Sequence, residues 1–163
     1  MNQRSILTIA TTVVLLGVMK PTHAEEVLKY RQILHTTAAL SQDVGDADGH
    51  AVTVFRFSGL ASLSDGTVGT ATGVGTNDYI KGAGSNAAYF SLTLKDGSVL
   101  WFKSVGTAKM DGTTALIEGT ATVLGGKGRF EGAKGEGTVT GARLVPLAAG
   151  ADLYLDVALN VKK

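Results

Sequence analysis

The chain has no cysteine among its 163 residues. That excludes disulfide bonds, a thiol nucleophile and any thiolate metal site. Proline occurs only twice, and aromatic residues make up 6% of the sequence. With 15 basic and 14 acidic residues, no field of one sign dominates. No polybasic run exists to attract nucleic acid or to hold anionic lipid. What the chain does have is glycine, 22 residues of it, and β-branched runs between regular turns. That combination reads as all-β.

The first 24 residues read differently. Arg4 supplies a positive start, Ile6 to Met19 carries no charge, and Thr22-His23-Ala24 places small residues at the −3 and −1 positions of a cleavage site. A secretory leader over 1–24 is therefore expected. The alternative is an uncleaved anchor, for which the apolar stretch is short against the roughly 20 residues a membrane helix needs. Cleavage would leave one domain, 25–163. Loss of Arg4 and Lys20 would leave 13 basic against 14 acidic residues, a net charge of about −1. The expected product is periplasmic or secreted, with no stable membrane insertion after cleavage and no nucleic-acid partner.

Eight strands are predicted near 28–38, 50–62, 66–76, 86–95, 98–107, 113–123, 128–144 and 151–161. Asp96-Gly97 suits a two-residue type I′ hairpin. That register sets Leu94 opposite Val99, Leu92 opposite Trp101 and Phe90 opposite Lys103. One face would carry Phe90, Leu92, Leu94, Val99, Trp101 and Val105, and the other Tyr89, Ser91, Thr93, Leu100, Phe102 and Ser104. In the last strand Ala151, Leu153, Leu155, Val157, Leu159 and Val161 alternate with polar residues. So regular a terminal strand predicts pairing on both edges, hence a closed barrel. Gly69, Gly73 and Gly75 share a face of the third strand. The repeated Gly-Thr units keep no fixed period, which argues against a parallel β-helix.

One stretch organises the rest. Glu118 to Thr138 reads EGTATVLGGKGRFEGAKGEGT. A strand runs into a Gly-Gly-Lys-Gly turn, and an aromatic residue then opens a glycine-rich second run. Gly125, Gly126, Gly128, Phe130, Ala133 and Gly135 resemble the glycine-turn signature of the allene oxide cyclase and dirigent barrel superfamily, with Lys127 in place of the usual threonine. The resemblance implies a single eight-stranded antiparallel β-barrel. Plant members cyclise a fatty-acid epoxide or steer the coupling of phenolic radicals. Neither task needs a bound cofactor, so none is expected. The cyclase's cavity cysteine has no equivalent here.

Several side chains are candidates for chemistry. Asp43, Asp46 and Asp48 cluster in a loop over 43–48, but Val44 and Phe55 stand where an EF-hand needs ligands, so a solvated loop is expected rather than calcium. His35 and His50 fall on different strands without metal-site spacing, and no metal is expected. His50 follows the Asp48-Gly49 turn, where it would border a barrel mouth. Glu118, if it faced an apolar interior, could act as acid or base. Arg56, if inside, would need a partner, with Glu118 the leading choice and Asp156 the other. Tyr89, Phe102 and Phe57 are the expected ligand-binding residues. The glycine turn is no phosphate loop, since it lacks GxxxxGK[ST] and no helix follows. No nucleophile elbow is present.

Three functions follow from this reading. The first is an exported barrel that binds a small apolar or aromatic molecule. The second is a cofactor-free isomerase or cyclase of the allene oxide cyclase type. The third is a solid, non-catalytic barrel that acts by interaction, which leaves a homo-oligomer open.

Overall fold

The computed structural model describes residues 25–163. The expected leader, 1–24, lies outside the described residues. Eight strands follow in order: β1 (Glu25–Asp43), β2 (His50–Leu63), β3 (Val68–Ile80), β4 (Ala83–Thr93), β5 (Val99–Asp111), β6 (Thr114–Lys127), β7 (Lys134–Arg143) and β8 (Asp152–Lys162). Each pairs antiparallel with its neighbours in sequence, and β8 returns to β1, so the sheet closes into a barrel. The expected fold class is the observed one.

Alternation sets what lies inside. Leu153, Leu155, Val157, Leu159 and Val161 of β8 all point inward and are buried. Opposite them on β1 stand Leu28, Tyr30, Gln32 and Leu34, also buried. Two stacked phenylalanine pairs fill the middle. Phe55 and Phe57 lie 4.5 Å apart by ring centroid, and Phe90 and Phe102 lie 5.1 Å apart. Gly73 makes room for this layer, since a Cβ there would sit 2.7 Å from the Phe90 ring. Each such side chain contributes about 1.5–3 kcal/mol by leaving water.

The hairpin at Asp96-Gly97 departs from the expected register by one residue. Leu92 pairs with Leu100 and Phe90 with Phe102. The loop has three residues, Lys95 to Gly97, because Leu94 N–H donates to Ser98 O at 2.9 Å and Gly97 N–H to Leu94 O at 3.0 Å. Gly97 takes φ +81°, the left-handed residue that follows a type I turn in loops of this length. One extra loop residue exchanges the two faces of β5. Leu100, Phe102 and Ser104 therefore face inward, while Trp101 and Val105 face outward.

Several strand boundaries also move, and β5 and β6 run on to Asp111 and Lys127. β1 runs on to Asp43, β3 runs on to Ile80, and the expected seventh strand is interrupted. Residues Gly128–Phe130 form a single 3-10 turn, and β7 starts only at Lys134. Gly128 has φ +60°, and a Cβ there would lie 2.6 Å from Ser98 Oγ. Ser98 holds the turn from below, accepting from the Arg129 N–H at 3.0 Å. Phe130 and Ala133 are fully buried. The glycine signature thus builds a plug at the end of the barrel that also holds the β2–β3 and β4–β5 loops.

Candidate functional site

The opposite end is not plugged. There the β1–β2, β3–β4, β5–β6 and β7–β8 connections surround an opening. Outside it lies a vestibule of about 290 Å3, walled by Ala51, Met110, Val145, Pro146 and Leu147 and floored by Asn77, Tyr79 and Arg143. Beneath that floor is a small space of about 40 Å3 among Phe55, Phe57, Phe90, Leu153 and Leu155. Asn77, Tyr79, Arg143 and Leu147 border both. The barrel is packed through its middle, and the room for a ligand is at the mouth.

Alternation explains the polar floor. Inward positions on β3 run Gly69, Ala71, Gly73, Gly75, Asn77 and Tyr79, and on β7 they run Gly135, Gly137, Val139, Gly141 and Arg143. Each series starts small or apolar and turns polar at the mouth. Arg143 is 5% exposed, and Asn77 is 4% exposed. Arg143 Nε and Asn77 Oδ1 have no hydrogen-bond partner. Neither cavity lining contains an aspartate or a glutamate. The guanidinium lies 5.9 Å from the centre of the Tyr79 ring. Burial lowers the Arg143 pKa, and the Tyr79 hydroxyl partly offsets that. Burial raises the Tyr79 pKa, while Arg143 and the Asn86 amide, which donates at 3.4 Å, pull it back. An arginine keeps its proton even so. The floor therefore holds a cation without a counter-ion. The other buried polar atoms without partners, on Tyr30, Gln32 and Thr36, belong to β1 and border neither cavity.

His50 stands on the rim and faces out. Its two ring nitrogens are held by Asp46 and, at 2.7 Å, by Asp78. Both contacts can be donated only by the protonated ring. The hydrogen bond to Asp78, then that to Asp46, raises the His50 pKa. The acidic loop is exposed along its length, as expected, and Asp48 within it pairs with Lys81 at 3.0 Å. Among the described residues, no three histidines or carboxylates are grouped to hold a metal ion.

The expected acid–base pair is not formed. Glu118 is exposed on the outer face of β6 and pairs with Lys109 at 2.9 Å. Arg56 is exposed on the outer face of β2. Asp156 pairs with Arg31 instead. Both candidates follow inward neighbours in an alternating strand, and the pleat sends them to solvent. His35 is also outward and meets Asp152 at 2.9 Å. The three expected ligand contacts come together only in part. Phe102 is fully buried in the core, whereas Phe57 borders both the inner cavity and the outer trench that Tyr89 lines. Tyr89 is 51% exposed and lines an outer trench of about 540 Å3 with Arg56, Trp101 and a row of hydroxyls, Ser58, Thr72 and Ser91.

Sequence reasoning missed Arg143, Asn77 and Tyr79. The signal was present: counting by two from Val139 reaches Arg143, and counting by two from Gly69 reaches Asn77 and Tyr79. Ending the third strand at 76 hid the last two.

No protein-family model and no curated protein sequence matches this chain. Solved structures do. A pterocarpan synthase dirigent protein superposes with a TM-score of 0.53 at 15% identity, covering 93% of this chain and 100% of its own. A conserved protein of unknown function from Rhodopseudomonas palustris superposes with a TM-score of 0.56 at 12% identity, covering 87% of this chain and 99% of its own. At such identities the likeness is one of fold. The chain is a closed eight-stranded barrel of the dirigent-like fold, as the glycine signature implied.

Proposed function

We propose that the protein is a small-molecule-binding barrel, exported by its leader, whose site is the mouth rather than the interior. One observation carries this reading. The barrel is sealed by Phe130 at one end and packed by stacked phenylalanines in the middle, yet it opens at the other end onto an apolar-walled vestibule with a polar floor. Apolar walls with a few convergent polar groups are the usual form of a small-molecule site. The volume suits a compact one- or two-ring molecule. Isomerase or cyclase chemistry is the weaker alternative, because Glu118 and Arg56, on which it rested, face solvent.

The test is a screen of aromatic and apolar compounds against isotope-labelled protein by NMR. Shifts at Tyr79, Met110, Arg143 and Leu147 are expected. Shifts confined to the outer trench at Tyr89 and Trp101 would move the site elsewhere. Sequencing the N-terminus of protein from its own compartment tests export, with Glu25 expected.

A second reading is favoured by the outer wall. Ile33 and Leu60 are paired across β1 and β2 and are 63% and 58% exposed. Val74 and Tyr89 are paired across β3 and β4 and are also exposed. Such apolar surface suits contact between barrels. Light scattering at increasing concentration tests self-association, and a monomer throughout would remove this reading.

A further inference from the structure

We propose that the ligand of the mouth is a monocarboxylate on a compact apolar body, with Arg143 as its counter-ion. The inference rests on the mouth being the ligand site and adds the chemical class of what it holds. Arg143 and Asn77 are both more than nine-tenths buried, and each has an unpartnered polar atom. Nothing in the fold requires a guanidinium there. The preceding inward residues of β7 are glycines and a valine. A buried cation is normally found paired, and the cavity linings supply no carboxylate to pair it. The missing partner is therefore expected from outside the chain.

The shape selects among anions. A guanidinium presents a planar fork that matches a carboxylate with two parallel hydrogen bonds. Among the described residues, Arg143 is the one free cation of the lining, because Lys81 at the rim is already bonded to Asp48. A single free charge suits a monoanion better than a phosphate dianion. The space inside Arg143 is about 40 Å3, too little for a ring. The acid group therefore enters first and stops at Arg143, and the apolar body stays in the vestibule against Met110, Val145, Pro146 and Leu147. Tyr79 and Asn86 flank the head group, joined by their hydrogen bond.

The experiment compares 2-naphthoate, 2-naphthalenemethanol and inorganic phosphate by calorimetry and NMR. Wild type, Arg143→Gln and Arg143→Lys are used. Wild type should bind the acid about tenfold or more tightly than the alcohol, as a charge-assisted hydrogen bond is expected to give. Arg143→Gln should erase that preference, with the acid losing far more affinity than the alcohol, and Arg143→Lys should keep part of it. The Arg143 Nε–H resonance of wild type should move with the acid and not with the alcohol. This measurement serves even if the variants fail to fold. Equal binding of acid and alcohol, or a preference that survives Arg143→Gln, would overturn the carboxylate assignment and leave the binding site standing. Phosphate that saturates the site and displaces the acid would overturn it in favour of an oxyanion site. Failure of both naphthalenes to shift any vestibule resonance would bring down the binding site itself.

Discussion

Replacing Arg143 with methionine is expected to stabilise the ligand-free protein. The guanidinium is buried and has no carboxylate beside it. Removing an ion from water costs several kcal/mol even after local relaxation. The Tyr79 ring, at 5.9 Å, stands at the limit of cation–π range and returns at most about 1 kcal/mol. Methionine keeps an unbranched stem of similar reach and can pack beside Ile117, Leu147 and Leu153. Exchanges of buried ionic groups for apolar ones of similar volume range from neutral to a gain of about 1–4 kcal/mol. Because this guanidinium also borders the open vestibule, part of its hydration survives, and the lower portion of that range applies, about 1–2 kcal/mol. In a barrel of this size the corresponding rise in Tm is about 3–8 °C. Thermal melts without ligand at neutral pH measure it. A Tm lowered by more than about 2 °C would mean that the guanidinium is already compensated within the fold, and the case for an external counter-ion would lose its basis. The expected combination of a more stable protein with a lost preference for acids is the usual signature of a site maintained against stability.

Three further outcomes follow from the geometry. Gly128→Val should lower stability by about 1–3 kcal/mol, because it puts a β-branched residue at φ +60° and pushes on Ser98, whereas exposed Lys127→Thr should leave the melt nearly unchanged; equal Tm values would contradict the plug. In a double-mutant cycle of Arg56→Ala and Glu118→Ala, losses should add within about 0.5 kcal/mol, and a larger coupling would contradict their placement on β2 and β6. The His50 clamp should stabilise the rim fully below about pH 6.5 and be lost as pH rises through the raised folded value, so the Tm gap between wild type and His50→Gln should close on the alkaline side; a gap that widens there would reverse the assigned protonation state.

The fold was legible because its strongest determinants are local. Period-two alternation in β8 fixed both its faces and its closure against β1. The glycine signature was legible for the same reason, since positive φ at Gly128 and the burial of Phe130 are written in a few adjacent residues. The β4–β5 register was misread because Asp-Gly serves two turns. It can centre a two-residue type I′ loop, or it can end a three-residue loop with the glycine left-handed. Here Asp96 receives the Ser98 N–H at 2.9 Å and its side-chain hydroxyl at 3.0 Å, and Ser98 in turn carries Arg129. The choice of turn is thus made partly by a contact with the plug, 31 residues away. A tertiary contact of that kind leaves no local trace, and it decided whether Phe102 or Trp101 would face the core.

The site was harder to read than the fold, for a reason that lies in the barrel's own polarity. The glycine signature belongs to the closed end. There, side chains are chosen to exclude water, and any barrel of this type must solve the same packing problem. Function needs the opposite condition, a place where packing stops. At the mouth the inward series on β3 and β7 pass from glycine and valine to asparagine, tyrosine and arginine within one or two pleats. Charged residues elsewhere on the strands occupy outward positions, as Glu118 and Arg56 do, and their presence needs no explanation. The informative residue is the charge whose parity disagrees with its type. Arg143 is that residue on β7, and its parity is fixed by Val139 four positions earlier, which is 2% exposed. Aromatic residues were a poorer guide. An inward phenylalanine here closes the barrel, and the outward Tyr89 belongs to a different surface, so neither kind marks the opening.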